Sequence, residues 1–132
     1  MATNTRAPVR ALILPASLLA TLVALAPCGP ALAHAHLRSA QPSVGGTVHE
    51  GVQEIRLSYS EAVEPRFCQV AVSGPDGEPI EAAKPAVDPA DPKVLVLRLA
   101  HPLTPGAYRV DWHATSTDTH KTQGSYRFTV AP

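Results

Sequence analysis

Six histidines in 132 residues are the side chains of this chain best equipped to do chemistry, and all six follow Ala33: His34, His36, His49, His101, His113 and His120. Imidazole is the commonest metal-ligating side chain, and histidine near a carboxylate in an exported protein first suggests a metal. His34 carries the most weight. A cut after Ala33 would leave it two nitrogens, a free α-amine and the imidazole Nδ1, which together close a chelate ring. An α-amine has a reference pKa of about 7.7–8.0, so a metal displaces its proton near neutral pH. In the uncut chain the same nitrogen is an amide. Asp118 and His120 are the natural complement, because residues i and i+2 of extended backbone face the same way, their Cα atoms about 6.6 Å apart. An amine, two imidazoles and a carboxylate in tetragonal arrangement suit Cu(II), with Ni(II) the chemical runner-up, and no thiolate set for structural zinc is present. Asp-x-His is a common spacing. Taken alone it favours a plainer reading, in which Asp118 shapes a turn and His120 is a solvated loop residue.

Export is read from the first 33 residues. Arg6 and Arg10 precede an apolar run, Ala11 to Ala26, and Ala31-Leu32-Ala33 supplies the small-x-small pattern of a signal-peptidase site. The run falls short of a span of roughly 20 residues, and Pro15 and Pro27 interrupt it. Residues 1–33 therefore read as a cleaved secretory signal peptide and 34–132 as one mature domain with no membrane insertion. Ala33-His34-Ala35 is a second small-x-small triplet, which would put His36 at the new terminus instead. Leu25-Ala26-Pro27-Cys28 faintly resembles a lipoprotein box, with proline a poor fit before the cysteine. Loss of Arg6 and Arg10 from eleven basic residues leaves nine against eleven acidic ones, no footprint for nucleic acid or anionic lipid. Cys28 leaves with the leader, so Cys68 is alone and the core must hold without an internal disulfide.

The elements that must position these groups are short extended runs separated by Pro and Gly. Glu54 to Tyr59 alternates, with Ile55, Leu57 and Tyr59 on one face. Phe67 to Ser73 presents Cys68, Val70 and Val72, then turns at Gly74-Pro75-Asp76-Gly77. Val94 to Leu99 points Leu95, Leu97 and Leu99 inward; Ala107 to Ala114 does so with Tyr108, Val110, Trp112 and Ala114; Ser125 to Val130 with Tyr126, Phe128 and Val130. With weaker strands near Leu37 and Ile80, the pattern predicts an all-β antiparallel sandwich. Glu78 to Lys93, with Pro79, Pro85, Pro89 and Pro92, reads as a surface excursion rather than a central strand. Thr115 to Gly124 reads as a ten-residue polar loop holding Asp118 and His120.

Three stretches carry a family resemblance: His34-Ala-His-Leu-Arg-Ser-Ala-Gln-Pro-Ser-Val-Gly-Gly46, Leu57-Ser-Tyr-Ser-Glu61, and the run from Tyr108 through Trp112-His-Ala-Thr-Ser-Thr-Asp-Thr-His120 to Val130. In order and in content they resemble the CopC copper-resistance family over nearly all of residues 34–132. The resemblance implies an immunoglobulin-like, Greek-key sandwich of about seven strands in the periplasm, one that carries copper without catalytic turnover. It places one Cu(II) per chain on His34, Asp118 and His120, and implies a CopD-type inner-membrane copper transporter as partner. Some members hold Cu(I) in a methionine-rich loop; here the only methionine is Met1, and soft Cu(I) wants sulfur. A Cu(II)-only member is expected, acting as a monomer in copper resistance, sequestration or delivery.

The other candidates divide more evenly. His36 is an additional ligand or an exposed start to the first strand. Glu61 orients an imidazole from behind the metal or is simply solvated. His113 is expected to form a surface ion pair with Asp111. His49 and His101 are expected to be solvated, and Cys68 to be a small buried hydrophobe. Trp112 should sit in the core and report copper by its fluorescence if it lies close to the metal. Two other functions are weighed. A copper-dependent oxygenase with an N-terminal histidine brace would need an aromatic surface to grip a glycan, and a metal-free structural sandwich would ignore copper altogether.

Overall fold

The computed structural model describes Met1 and residues 34–49 and 51–132; the signal-peptide reading and the Cys28 motif lie outside the described residues. Eight strands follow in order: β1 (Leu37–Gln41), β2 (Thr47–Val48), β3 (Glu54–Tyr59), β4 (Gln69–Ser73), β5 (Ala86–Asp88), β6 (Asp91–Arg98), β7 (Gly106–Thr115) and β8 (Lys121–Val130). A 3-10 turn, Pro65–Phe67, leads into β4. Two four-stranded sheets result, ordered β1-β3-β6-β5 and β2-β8-β7-β4. Every pairing is antiparallel except the two-residue match of β2 with β8.

Alternation decides which faces meet. Ile55, Leu57 and Tyr59 of β3 and Leu95 and Leu97 of β6 are buried, and they face Val72 of β4, Tyr108, Val110 and Trp112 of β7, and Tyr126, Phe128 and Val130 of β8. Each large aliphatic or aromatic side chain so buried contributes about 1.5–3 kcal/mol. Tyr108 and Phe128 stack with centroids 5.6 Å apart, and the Tyr108 hydroxyl donates to the Thr104 carbonyl at 2.8 Å. Tyr59 meets the edge of Trp112 at 5.5 Å.

The sandwich and its inward residues match the sequence reading, with three corrections. Glu78 to Lys93 is not all excursion: it contains β5, an edge strand, and the start of β6. Pro85 and Pro89 flank β5, and an edge tolerates proline because one side of the strand has no ladder to complete. Around Ile80 no strand forms. Ile80 N donates to Val72 O and Ser73 bridges Pro79, but Pro79 has no N–H with which to extend the ladder. Thr115 to Gly124 is not a ten-residue loop, since β7 runs through Thr115, β8 begins at Lys121, and only residues 116–120 turn. Gly124 looked like a loop glycine, but it lies opposite Trp112 within the ladder. A Cβ there would fall 2.6 Å from the indole Cζ2, so the glycine makes room for the ring.

Candidate metal centre

Two pieces of chain meet at one end of the sandwich. The first is His34-Ala35-His36, just before β1. His36 N donates to His34 O at 2.8 Å, which closes a tight three-residue turn. Ser60, immediately after β3, clasps that turn: its hydroxyl donates to His34 O at 2.9 Å and accepts from His36 N at 3.0 Å. Ser60 N also donates to His36 O at 2.9 Å. On the other side, Thr122 Oγ1 of β8 donates to Ala35 O at 2.8 Å, and Ala35 itself is fully buried. The segment is thus strapped to both sheets, and its histidines emerge on either side of a buried alanine.

The second piece is the turn Ser116–His120 between β7 and β8. Ser116 N donates to His120 O and Thr119 N to Ser116 O, each at 2.9 Å. Thr117 N reaches Ala62 O at 3.1 Å, and Val63 bridges Ser116, so the turn is tied to the chain leaving β3. Thr119 adopts φ 75°, a left-handed conformation that a β-branched residue enters only under constraint. The Ser116 hydroxyl bonds Asp118, whose other oxygen lies 2.9 Å from His120 Nδ1. The Ser116 hydroxyl, followed by the His120 contacts, holds the Asp118 carboxyl below its usual range.

The two pieces bring histidines together. The His34 and His120 rings lie 4.9 Å apart between centroids, and the His34 and His36 rings 5.9 Å. Metal bonds to ring nitrogen run about 2.0–2.1 Å, so His34 and His120 are spaced for one ion. Asp118 faces His120 Nδ1, which leaves His120 Nε2 open to a metal. Among the described residues no three His, Cys, Asp or Glu side chains already converge as a finished cage. One ligand of the expected set is also missing in the uncut chain, because the His34 nitrogen is still a peptide amide.

The CopC domain model matches residues 37–131. The chain belongs to the CopC family. Copper resistance protein C of Pseudomonas syringae pv. tomato is 37% identical over 119 residues, covering 83% of this chain and 92% of that one. Protein YobA of Escherichia coli K12 is 42% identical over 98 residues, covering 74% and 79%. The crystal structure of PcoC, a methionine-rich copper resistance protein from Escherichia coli, superposes with TM-score 0.66 at 37% identity, covering 74% of this chain and 99% of that one.

In this CopC-family chain, then, His34, His36, Asp118 and His120 share one end of the sandwich. Their relation differs from the extended-strand geometry expected for 118 and 120, because the intervening backbone turns and the pair meets through the turn. Glu61 follows Ser60 and is half-buried. His113 is exposed but does not hold Asp111. Arg109 does, through Nε at 2.9 and 3.0 Å and Nη2 at 2.7 Å, because it sits two residues away on the same face with a longer reach. Cys68 is buried as expected. Its thiol donates to Glu64 O at 3.2 Å and accepts from Thr115 N at 3.4 Å, and burial raises its pKa. His49 and His101 are exposed. Ser60, Ser116 and Thr122 lie within the stretches that carry the family resemblance, but their residue types do not mark them as site residues. Ser60 was within the quoted motif Leu57-Ser-Tyr-Ser-Glu61, but nothing in its residue type announces a clasp.

Proposed function

We propose that this CopC-family chain, cut after Ala33, is a periplasmic Cu(II)-binding protein that sequesters copper or delivers it to a CopD-type inner-membrane transporter. One Cu(II) per chain is held by the amine and Nδ1 of His34, by His120 and by Asp118. His36 is an additional candidate ligand, and Glu61, next to Ser60 in the chain, is the candidate for orienting an imidazole. The observation that carries this reading is the clasp of Ser60 and Thr122 on the His34–His36 backbone, with the His34 and His120 ring centroids 4.9 Å apart, in a chain whose copper-resistance relatives match nearly all of residues 34–132. Burial of Ala35 favours cleavage after Ala33 over cleavage after Ala35, which would discard a core residue and the Thr122 bond with it. The residues fit a borderline cation better than a soft one: the donors gathered at this end are imidazoles and a carboxylate, and the only thiol of residues 34–132, Cys68, is buried elsewhere. This supports a Cu(II)-only member and a carrier without turnover. Trp112, Tyr59, Tyr108, Tyr126 and Phe128 are all buried, which leaves little aromatic surface for a glycan-gripping oxygenase.

The test is a Cu(II) titration of two forms, one beginning at His34 and one with a single extra residue before it, followed by Trp112 fluorescence and electron paramagnetic resonance. Tight one-to-one binding by the His34 form and much weaker binding by the extended form is the expected result. Equal affinities would remove the amine from the ligand set, and no binding by either form would leave a metal-free sandwich.

A further inference from the structure

Beside the metal turn lies an open concavity of about 720 Å³ on the outer face of β7 and β8, and it shares the turn's backbone. Thr119, between Asp118 and His120, lines it, and so does Lys121. Across from them stand Arg66 and Phe67 of the 3-10 turn, with His113 and the polar Gln69 and Gln123 on the floor. No acidic residue contributes to the wall.

Phe67 is 62% exposed, the one aromatic ring among the large apolar side chains left open in the described residues. It is not loose. Thr115 Oγ1 donates to Phe67 O at 3.1 Å, and the Arg66 guanidinium lies 5.6 Å from the ring centroid. Arg66 uses only Nε on Glu64, an exposed pair of little energetic weight, so its terminal nitrogens remain available. Lys121 has no ion-pair partner among the described residues. An exposed aromatic ring flanked by arginine is the composition of an interface centre rather than of plain surface.

We propose that this concavity is the docking surface for a protein partner that presents a carboxylate-rich segment, with an apolar residue to cover Phe67. The inference rests on the copper-carrier reading and adds to it the face through which copper would change hands. Two cations and no acid in the wall select for carboxylates by charge complementarity. A membrane surface fits less well, because the chain from His34 onward carries nine basic against eleven acidic residues and would be repelled by anionic lipid as a whole. A partner seated here would touch Thr119 and Lys121, and so press on the turn that sets Asp118 and His120.

The experiment places the photo-crosslinking residue benzoylphenylalanine at position 67 of the full chain in host cells, with position 44 as an exposed control, and maps the adducts by mass spectrometry. The expected result is a position-67 adduct on a carboxylate-rich segment of another protein, reduced about tenfold by the double substitution Arg66→Gln, Lys121→Gln. That double variant should keep the Cu(II) affinity of the parent in vitro. The proposal is overturned by no adduct beyond that at position 44, by an adduct on lipid or on a second copy, by an adduct indifferent to charge removal, or by loss of Cu(II) affinity in the double variant. Failure of the parent itself to bind Cu(II) would sink the carrier reading instead, whatever position 67 captures.

Discussion

Ser60 is neither charged nor aromatic, yet its hydroxyl and amide hold three backbone groups of the segment that carries His34 and His36. Substituting Ser60→Ala removes the two hydroxyl bonds of the clasp but no proposed ligand. Loss of groups that orient metal ligands typically weakens binding 10–100-fold. Cu(II) affinity of the His34 form should therefore fall by about that range, read by Trp112 fluorescence, while the folded domain persists. Rescue by Ser60→Thr would show that the hydroxyl is what matters. Asp118 makes a second residue-level prediction. Its pKa is depressed chiefly by the Ser116 hydroxyl, so the charged form contributes stability at neutral pH that is lost as pH falls through the depressed value. Ser116→Ala should move that pKa up towards the ordinary carboxylate value of about 3.9, measured by carboxyl NMR titration of the metal-free protein. An unmoved titration would assign the depression to His120 instead.

The β7–β8 hairpin shows how far elements could be read from residue order. Period-two alternation located β3 residue for residue and placed Tyr108, Val110, Trp112, Tyr126 and Phe128 in the core, because a half-buried strand writes its burial directly into its sequence. It failed where burial and residue type part company. Thr122, Gln123 and Gly124 are polar or small, so they read as loop, although they continue β8 opposite Trp112, His113 and Ala114. The two-residue β2 and three-residue β5 are too short to show any period. Of the candidate site, the histidines and Asp118 were legible as residue types that can ligate a metal, whereas Ser60, Ser116 and Thr122 were not, because their contacts with the backbone arise only in the fold. Gly124 offers the sharpest test at this scale. Gly124→Ala drives a methyl group towards the Trp112 indole and should destabilise the domain by about 1–3 kcal/mol in a denaturant titration, despite alanine's lower conformational freedom when unfolded. No loss of stability would mean that the ring yields without cost.

At the scale of the whole molecule, one sandwich, with Cys68 a free thiol among the described residues, holds both halves of the candidate site, so copper binding there as proposed would be linked to folding. Cu(II) at about 1,000 times its dissociation constant should add about 4 kcal/mol to the stability of the His34 form, visible as a raised Tm by calorimetry. The form with an extra residue before His34 should gain far less. Cys68 is sealed by the same core, so a thiol reagent should leave it untouched until the domain unfolds; prompt labelling of the native protein would contradict its burial. If the chain is cut after Ala33 as proposed, buried Ala35 sets an order of events. A peptidase that cuts between Ala33 and His34 must grip the residues beyond the bond in extended form, and the closed sandwich withholds Ala35 from it. Processing therefore has to precede closure of the domain. A chain that folded before that cut would keep the His34 nitrogen capped as an amide, so on the proposed reading the full ligand set would form only where the cut is made.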